Sequence, residues 1–230
     1  AAGALNVTLQ CSDAAGLATA QSQAPVATDN CDATLTPVKT AGSFVAGTCP
    51  EEGTYTNTWI VTDCAGNVSA VYTQVITIED TQAPTWTTAA GALNVTLQCS
   101  DAAGLATAQS QAPVATDNCD ATLTPVKTAG SFVAGTCPEE GTYTNTWIVT
   151  DCAGNVSAVY TQVITIEDTQ APTWTTAAGA LNVTLQCSDA AGLATAQSQA
   201  PVATDNCDGT LTPVKTAGSF IPGACPEEGT

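Results

Sequence analysis

The chain has 230 residues, 21 of them acidic against three lysines, with no arginine, no histidine and a formal net charge of −18. That balance leaves no face suited to a nucleic-acid phosphate backbone or to an anionic bilayer surface. No apolar run reaches the roughly 20 residues needed to span a membrane.

Residues 1–88 recur letter for letter as 89–176, and a third copy opens at Ala177. The third copy departs only in Gly209 for Ala33, Ile221 for Val45, Pro222 for Ala46 and Ala224 for Thr48. A fixed period with no site unique to one copy is how a repeat array is written. Within one copy, Leu5, Val7 and Leu9 alternate with polar residues and predict a strand running into Cys11. Ser12–Gln23, rich in Ala and Gln, predicts one or two helical turns capped by Ser12 or Asp13. Val26–Thr28, Leu35–Lys39 and the stretch around Phe44 are shorter strand candidates. The run TYTNTWIVTD puts Tyr55, Asn57, Trp59 and Val61 on one face. VSAVYTQVITIED follows, with Tyr72, Ile76 and Ile78 sharing a face. Turn residues separate these runs at Asp29–Asp32, Gly47 with Pro50, Gly53 and Ala65–Asn67. About seven short strands in each copy predict an all-β fold of tandem β-sandwiches.

The expected domains are 1–80, missing its first strand, 81–168, complete, and 169–230, missing its last two strands. The seams Glu79–Trp86 and Glu167–Trp174 are short and stiffened by proline, so successive sandwiches are expected to stack end to end as a semi-rigid rod. The incomplete outer copies suggest a window on a longer polymer.

Each full copy carries four cysteines: Cys11, Cys31, Cys49 and Cys64, then Cys99, Cys119, Cys137 and Cys152; the third copy has Cys187, Cys207 and Cys225. An even count in a small β-rich domain predicts two disulfides per repeat and an oxidising, extracytoplasmic setting. Zinc is disfavoured by the lack of any CxxC pair and of histidine. Four cysteines permit three pairings. The sandwich topology favours Cys11–Cys49 at one pole and Cys31–Cys64 at the other, hence Cys99–Cys137, Cys119–Cys152 and Cys187–Cys225 in the later copies.

Two acidic groupings suit calcium, which takes six to eight oxygen ligands. Asp29, Asp32, Asp63 and Asn67 lie on loops, and Glu79 and Asp80 lie at the seam. Their later equivalents are Asp117, Asp120, Asp151, Asn155, Glu167 and Asp168. The competing reading is that Asp and Asn simply make turns here. Trp59 falls on the core alternation rather than on a sugar-binding surface, and Trp86, beside the linker proline, is expected to pack between repeats. Nothing resembles a catalytic constellation: there is no histidine, the cysteines are committed to bridges, and no nucleophile or phosphate-loop motif occurs. The chain is not expected to be an enzyme.

Three stretches, ATDNCD at 27–32, TYTNTWIVTDCAGNVS at 54–69 and TQVITIEDTQAP at 73–84, resemble the HYR-like, immunoglobulin-like repeats of large secreted Bacteroidota surface adhesins. These include the mobile adhesins of gliding flavobacteria. The resemblance implies an immunoglobulin-like (HYR or fibronectin-III-like) sandwich, an extracellular place on a bacterial cell surface, and the role of an adhesin stalk. Its partners would be neighbouring repeats, like chains in a filament, or a surface glycan or protein ligand. Two alternatives stand beside it: a self-assembling filament or sheath, and a multivalent carbohydrate- or protein-binding repeat.

Overall fold

The alternating residues before Cys11 form strand β1, Val7–Gln10, and Asp13 then caps a nine-residue helix, α1, Ala14–Ser22. Its carboxylate accepts from the Gly16 N–H at 2.8 Å, and a Cβ at Gly16 would collide with that same carboxylate. Glycine in the first turn lets the cap carboxylate sit this close to the backbone. Strands β2, Val38–Thr40, β3, Phe44–Ala46, β4, Gly53–Ile60, and β5, Tyr72–Glu79, complete the first repeat. The second repeat opens with β6, Thr85–Trp86, and continues with β7, Val95–Gln98, α2, Ala102–Ser110, and β8, Ala115–Thr116. It closes with β9, Val126–Thr128, β10, Val133–Ala134, β11, Gly141–Ile148, and β12, Tyr160–Glu167. The third contributes β13, Thr173–Trp174, α3, Ala190–Ser198, and β14, Ala203–Thr204.

This computed structural model describes residues 3–223 and Gly229. The chain forms two compact units whose limits do not follow the sequence period. The first combines Ala1–Leu93 with Gln111–Gly130 and Asn145–Gln162; the second combines Asn94–Ser110, Ser131–Thr144 and Val163–Thr230.

In the first unit the main sheet has the order β1-β5-β4-β2, with β3 also on β4. Strand β1 lies parallel to β5, Val7 opposite Ile76 and Gln10 opposite Glu79. Strand β4 is antiparallel to β5, and β2 and β3 divide its other edge, Lys39 facing Trp59 and Phe44 facing Tyr55. Between β2 and β3 the chain presses on β4 so closely that a Cβ at Gly42 would strike the Thr56 backbone. The inward face carries Ile76, Ile78 and Ala20, surrounded by Val7, Leu9, Cys11, Leu17, Phe44 and Tyr55. Helix α1 covers this face through Leu17 and Ala20, one turn apart.

Two amides lie at the centre of that sheet with no exposed surface, Asn57 and its cross-strand partner Gln74. Asn57 Nδ2 donates to Gln74 Oε1 and to Gln21 Oε1, each at 3.0 Å, and Asn57 Oδ1 accepts from the Gly42 N–H at 3.0 Å. Gln74 Nε2 donates to the Leu5 and Ala20 carbonyls at 2.9 and 3.2 Å. Buried amides are tolerated when satisfied in this way, and they tie strand, helix and loop into one register. Asn145 and Gln162 repeat the pair at 2.9 Å.

Ribbon β6–β8 also belongs to the first unit, with Trp86 opposite Ala115. Trp86 Nε1 donates to the Ala158 carbonyl at 2.7 Å, and its ring meets Tyr160 edge-on at 5.5 Å. The tryptophan expected to pack between repeats thus closes the second sandwich onto itself, because the strand after the linker proline supplies the opposing layer.

In the second unit β7 runs parallel to β12, Val95 opposite Ile164, and β10 pairs with β11. Its core is Ala108, Ile164 and Ile166, ringed by Val95, Leu97, Cys99, Leu105, Phe132 and Tyr143. Ribbon β13–β14 places Trp174 opposite Ala203.

Candidate functional site

The cysteines define the first element of the site. Cys11 follows β1, and Cys49 lies in the loop before β4, at the pole where β5 ends. Cys31 and Cys64 lie at the other pole, tied together by the Cys64 N–H donating to Asp32 Oδ2 at 2.8 Å. The sequence argument placed the cysteines at these poles but joined them within one repeat. The structure pairs them differently, as Cys11–Cys119, Cys49–Cys152 and Cys99–Cys207. Their Cα separations of 5.9, 5.6 and 5.8 Å suit a disulfide.

Each bridge therefore joins one repeat to the next. The leaving pole of one copy meets the entering pole of its successor, so the nearest thiol belongs to the neighbouring copy. Cys31, Cys64, Cys137 and Cys187 carry no bridge and are exposed. In the repeat register Cys31 and Cys64 correspond to Cys119 and Cys152, while Cys137 and Cys187 correspond to Cys49 and Cys11. Cys225 lies outside the described residues.

Polar contacts accompany the first bridge. Asn118 Nδ2 donates to Ser12 Oγ at 3.2 Å, and Asn155 Nδ2 donates to the Asp80 carbonyl at 3.2 Å. Glu52 Oε1 accepts from the Asp80 N–H at 2.8 Å, and Glu140 does the same for Asp168 at 2.9 Å. Sequence reasoning passed over Asn118, since a loop amide gives no periodic signal, and read Glu52 only as half of an acidic pair in a turn.

The acids make the second element. Asp29 Oδ1 accepts from the Cys31 and Asp32 N–H groups at 2.8 and 3.1 Å, and Asp117 Oδ1 repeats this with Cys119 and Asp120 at 2.9 and 3.2 Å. Asp120 Oδ2 accepts from the Cys152 N–H at 2.5 Å, which ties its loop to the one beginning at Asp151. Asp63 receives both the N–H and the side-chain amide of Asn67, each at 2.7 Å, and these bonds hold its carboxyl below the usual range. Asp151 and Asn155 repeat the arrangement at 2.7 and 2.9 Å.

Asp80, Asp117 and Asp151 come together, one carboxylate oxygen from each lying within 4.8 Å of the others. Asp80 and Asp151 are each only 7% exposed. Asp80 Oδ1 accepts from the Gln82 N–H at 3.0 Å, whereas Oδ2 of both Asp80 and Asp117 is buried with no hydrogen-bond partner. Burial first, then the charges of Asp117 and Asp151, push the Asp80 carboxyl above its ordinary range. Asp168 and Asp205 occupy the corresponding positions in the second unit, where Asp205 Oδ2 is likewise buried and unpartnered. Of the other expected ligands, Glu79 and Glu167 are exposed on their strands, and Asp32 and Asp120 are spent on backbone N–H groups.

Trp59 is 2% exposed and packs edge-on against Tyr72 at 6.0 Å, so it offers no platform for a sugar ring.

A mostly-β, sandwich-like repeat in tandem, with two cysteines at each pole, is the class of protein these features define. The chain belongs to the family of HYR-like domains with four cysteines, which matches residues 3–78 and again 87–166. That family makes it an extracellular repeat of the adhesion type. No curated protein gives a significant match. Among solved structures, Drosophila N-cadherin EC1-4 is similar at 10% identity and a TM-score of 0.32 over 71% of this chain. The chain spans 48% of that cadherin chain's length.

Proposed function

We propose that this chain is a length of load-bearing stalk from an extracellular bacterial surface fibre, serving an adhesin of the kind used in attachment or gliding. The observation that carries the reading is the pairing of cysteines between successive repeats. Bridges Cys11–Cys119 and Cys99–Cys207 overlap in sequence. The covalent route from Cys11 to Cys207 crosses to Cys119, returns along the backbone to Cys99 and crosses again. It contains about 20 residues and two bridges, or about 80 Å at full extension, where the backbone alone would give about 200 residues and about 670 Å.

A fibre cross-linked in this way does not pay out its repeats under tension. An isolated binding module gains nothing from such overlap, whereas a stalk that must transmit force to a distant contact does. Burial of Trp59 fits a spacer better than a multivalent lectin.

Electron microscopy of the native material on its source cells tests the reading. Thin single-file threads rooted in the cell surface are expected. Laterally bonded fibres of defined helical symmetry would overturn it in favour of a self-assembling filament.

A further inference from the structure

We infer that Asp80, Asp117 and Asp151 form a calcium site at the junction between the first two repeats. Each acid comes from a different element: the end of β5, the loop after β8 and the loop after β11. Two oxygens bound to one calcium ion at about 2.4 Å each can stand no more than about 4.8 Å apart. The three carboxylate oxygens meet that limit.

The second observation is independent of proximity. Asp80 is more than nine-tenths buried, and its Oδ2, like that of Asp117, is sealed from solvent with no hydrogen-bond donor. A buried carboxylate oxygen without a donor or a cation is costly. The chain's own cations are placed elsewhere. Lys39 lies over Trp59 at 5.4 Å and bonds Gln21, Lys127 lies over Trp147 at 5.3 Å, and Lys215 bonds the Gln197 carbonyl. Three hard oxygen donors with no nitrogen favour calcium over a transition metal.

The site deepens the junction rather than the stalk reading. It would stand if the array served another purpose, because it rests on acids of this chain alone. Bound calcium would neutralise the acids that meet beside the Cys11–Cys119 bridge and hold three loops in one arrangement. In the second unit, Asp168 and Asp205, whose Oδ2 is likewise without a partner, repeat two of the three acids.

Calorimetric titration of the chelator-stripped full chain with calcium chloride tests the proposal, alongside Asp80→Asn, Asp117→Asn and Asp29→Asn. Asp29 is the counterpart of Asp117 in the first repeat. A strong site is expected in the parent chain, weakened at least tenfold by Asp80→Asn and by Asp117→Asn and unchanged by Asp29→Asn. The thermal midpoint should rise by about 5–10 °C at a hundredfold excess of calcium over Kd. No binding at millimolar calcium would overturn the proposal. So would equal weakening by Asp29→Asn, which would indicate diffuse condensation on an acidic surface.

Discussion

Cys11 is joined to Cys119, 108 residues away, although Cys49 of its own repeat lies at the same pole of the sandwich. The relationship turns a row of small domains into a covalently overlapped array. It also alters the meaning of sequence identity between neighbours. Identical adjacent β-domains are prone to exchange strands while folding. Bridges between copies do not guard each copy separately; they commit each copy to its successor.

Proteolysis without reduction should yield a Cys11 peptide linked to a Cys119 peptide and a Cys49 peptide linked to a Cys152 peptide. Mass spectrometry reads the pairing directly, and a Cys11–Cys49 peptide would refute it. Cys119→Ser should release the Cys11 thiol and destabilise the first unit by about 4 kcal/mol, measured by denaturant unfolding, since the bridge closes a loop of about 100 residues.

Appending one further 88-residue copy should add two disulfides and leave the number of free thiols unchanged. Thiol titration of the shorter and longer chains checks this. Two additional free thiols in the longer chain would mean that the pairing register is not propagated.

Pulled between anchors beside Cys11 and Cys207, the oxidised chain should lengthen to no more than about 80 Å of covalent contour, and the reduced chain to about 670 Å. Single-molecule force extension in the presence and absence of reductant measures both lengths. Equal extension in the two conditions would remove the mechanical argument.

Asn57→Ala should cost about 2–3 kcal/mol in denaturant unfolding, because it strips the Gly42 N–H and Gln74 Oε1 of their partner inside the sheet. Substitution of the exposed Thr56 on the same strand should cost far less.

Asn67→Ala should raise the Asp63 pKa toward the ordinary carboxylate value, since the Asn67 side chain is the main cause of its depression. A depressed carboxyl contributes stability at neutral pH that is lost as pH falls through its folded pKa. The variant should therefore begin to lose acid resistance at a higher pH than the parent. Carbon-detected NMR titration of Asp63 gives the shift, and an unmoved pKa would reject the cause assigned.

The alternation in TYTNTWIVTD and VSAVYTQVITIED was enough to place Trp59, Ile76 and Ile78 inside, because a strand's period of two leaves a side chain only one face to choose. Asp13 was legible as a helix cap for a similarly local reason. Amide burial was half legible: Asn57 fell on the inward face of its strand, but its matching to Gln74 depended on register between two strands.

Other features lay beyond any local pattern. The letters VTLQ form a strand at Val7–Gln10 and Val95–Gln98, where β5 and β12 pair with them, yet the same letters are irregular at 183–186, since a strand is made by its pairing and not by its letters. The letters AT are a strand at Ala115–Thr116 and Ala203–Thr204, where β6 and β13 pair with them, but not at 27–28. Local sequence was sufficient for the repeat, the strand faces and the poles at which cysteines and acids lie. Long-range docking set which pole meets which. It thereby decided that Cys11 finds Cys119 and Asp80 finds Asp117 and Asp151, because long-range partners are chosen by the docking of whole repeats, which no short stretch of identical sequence can encode.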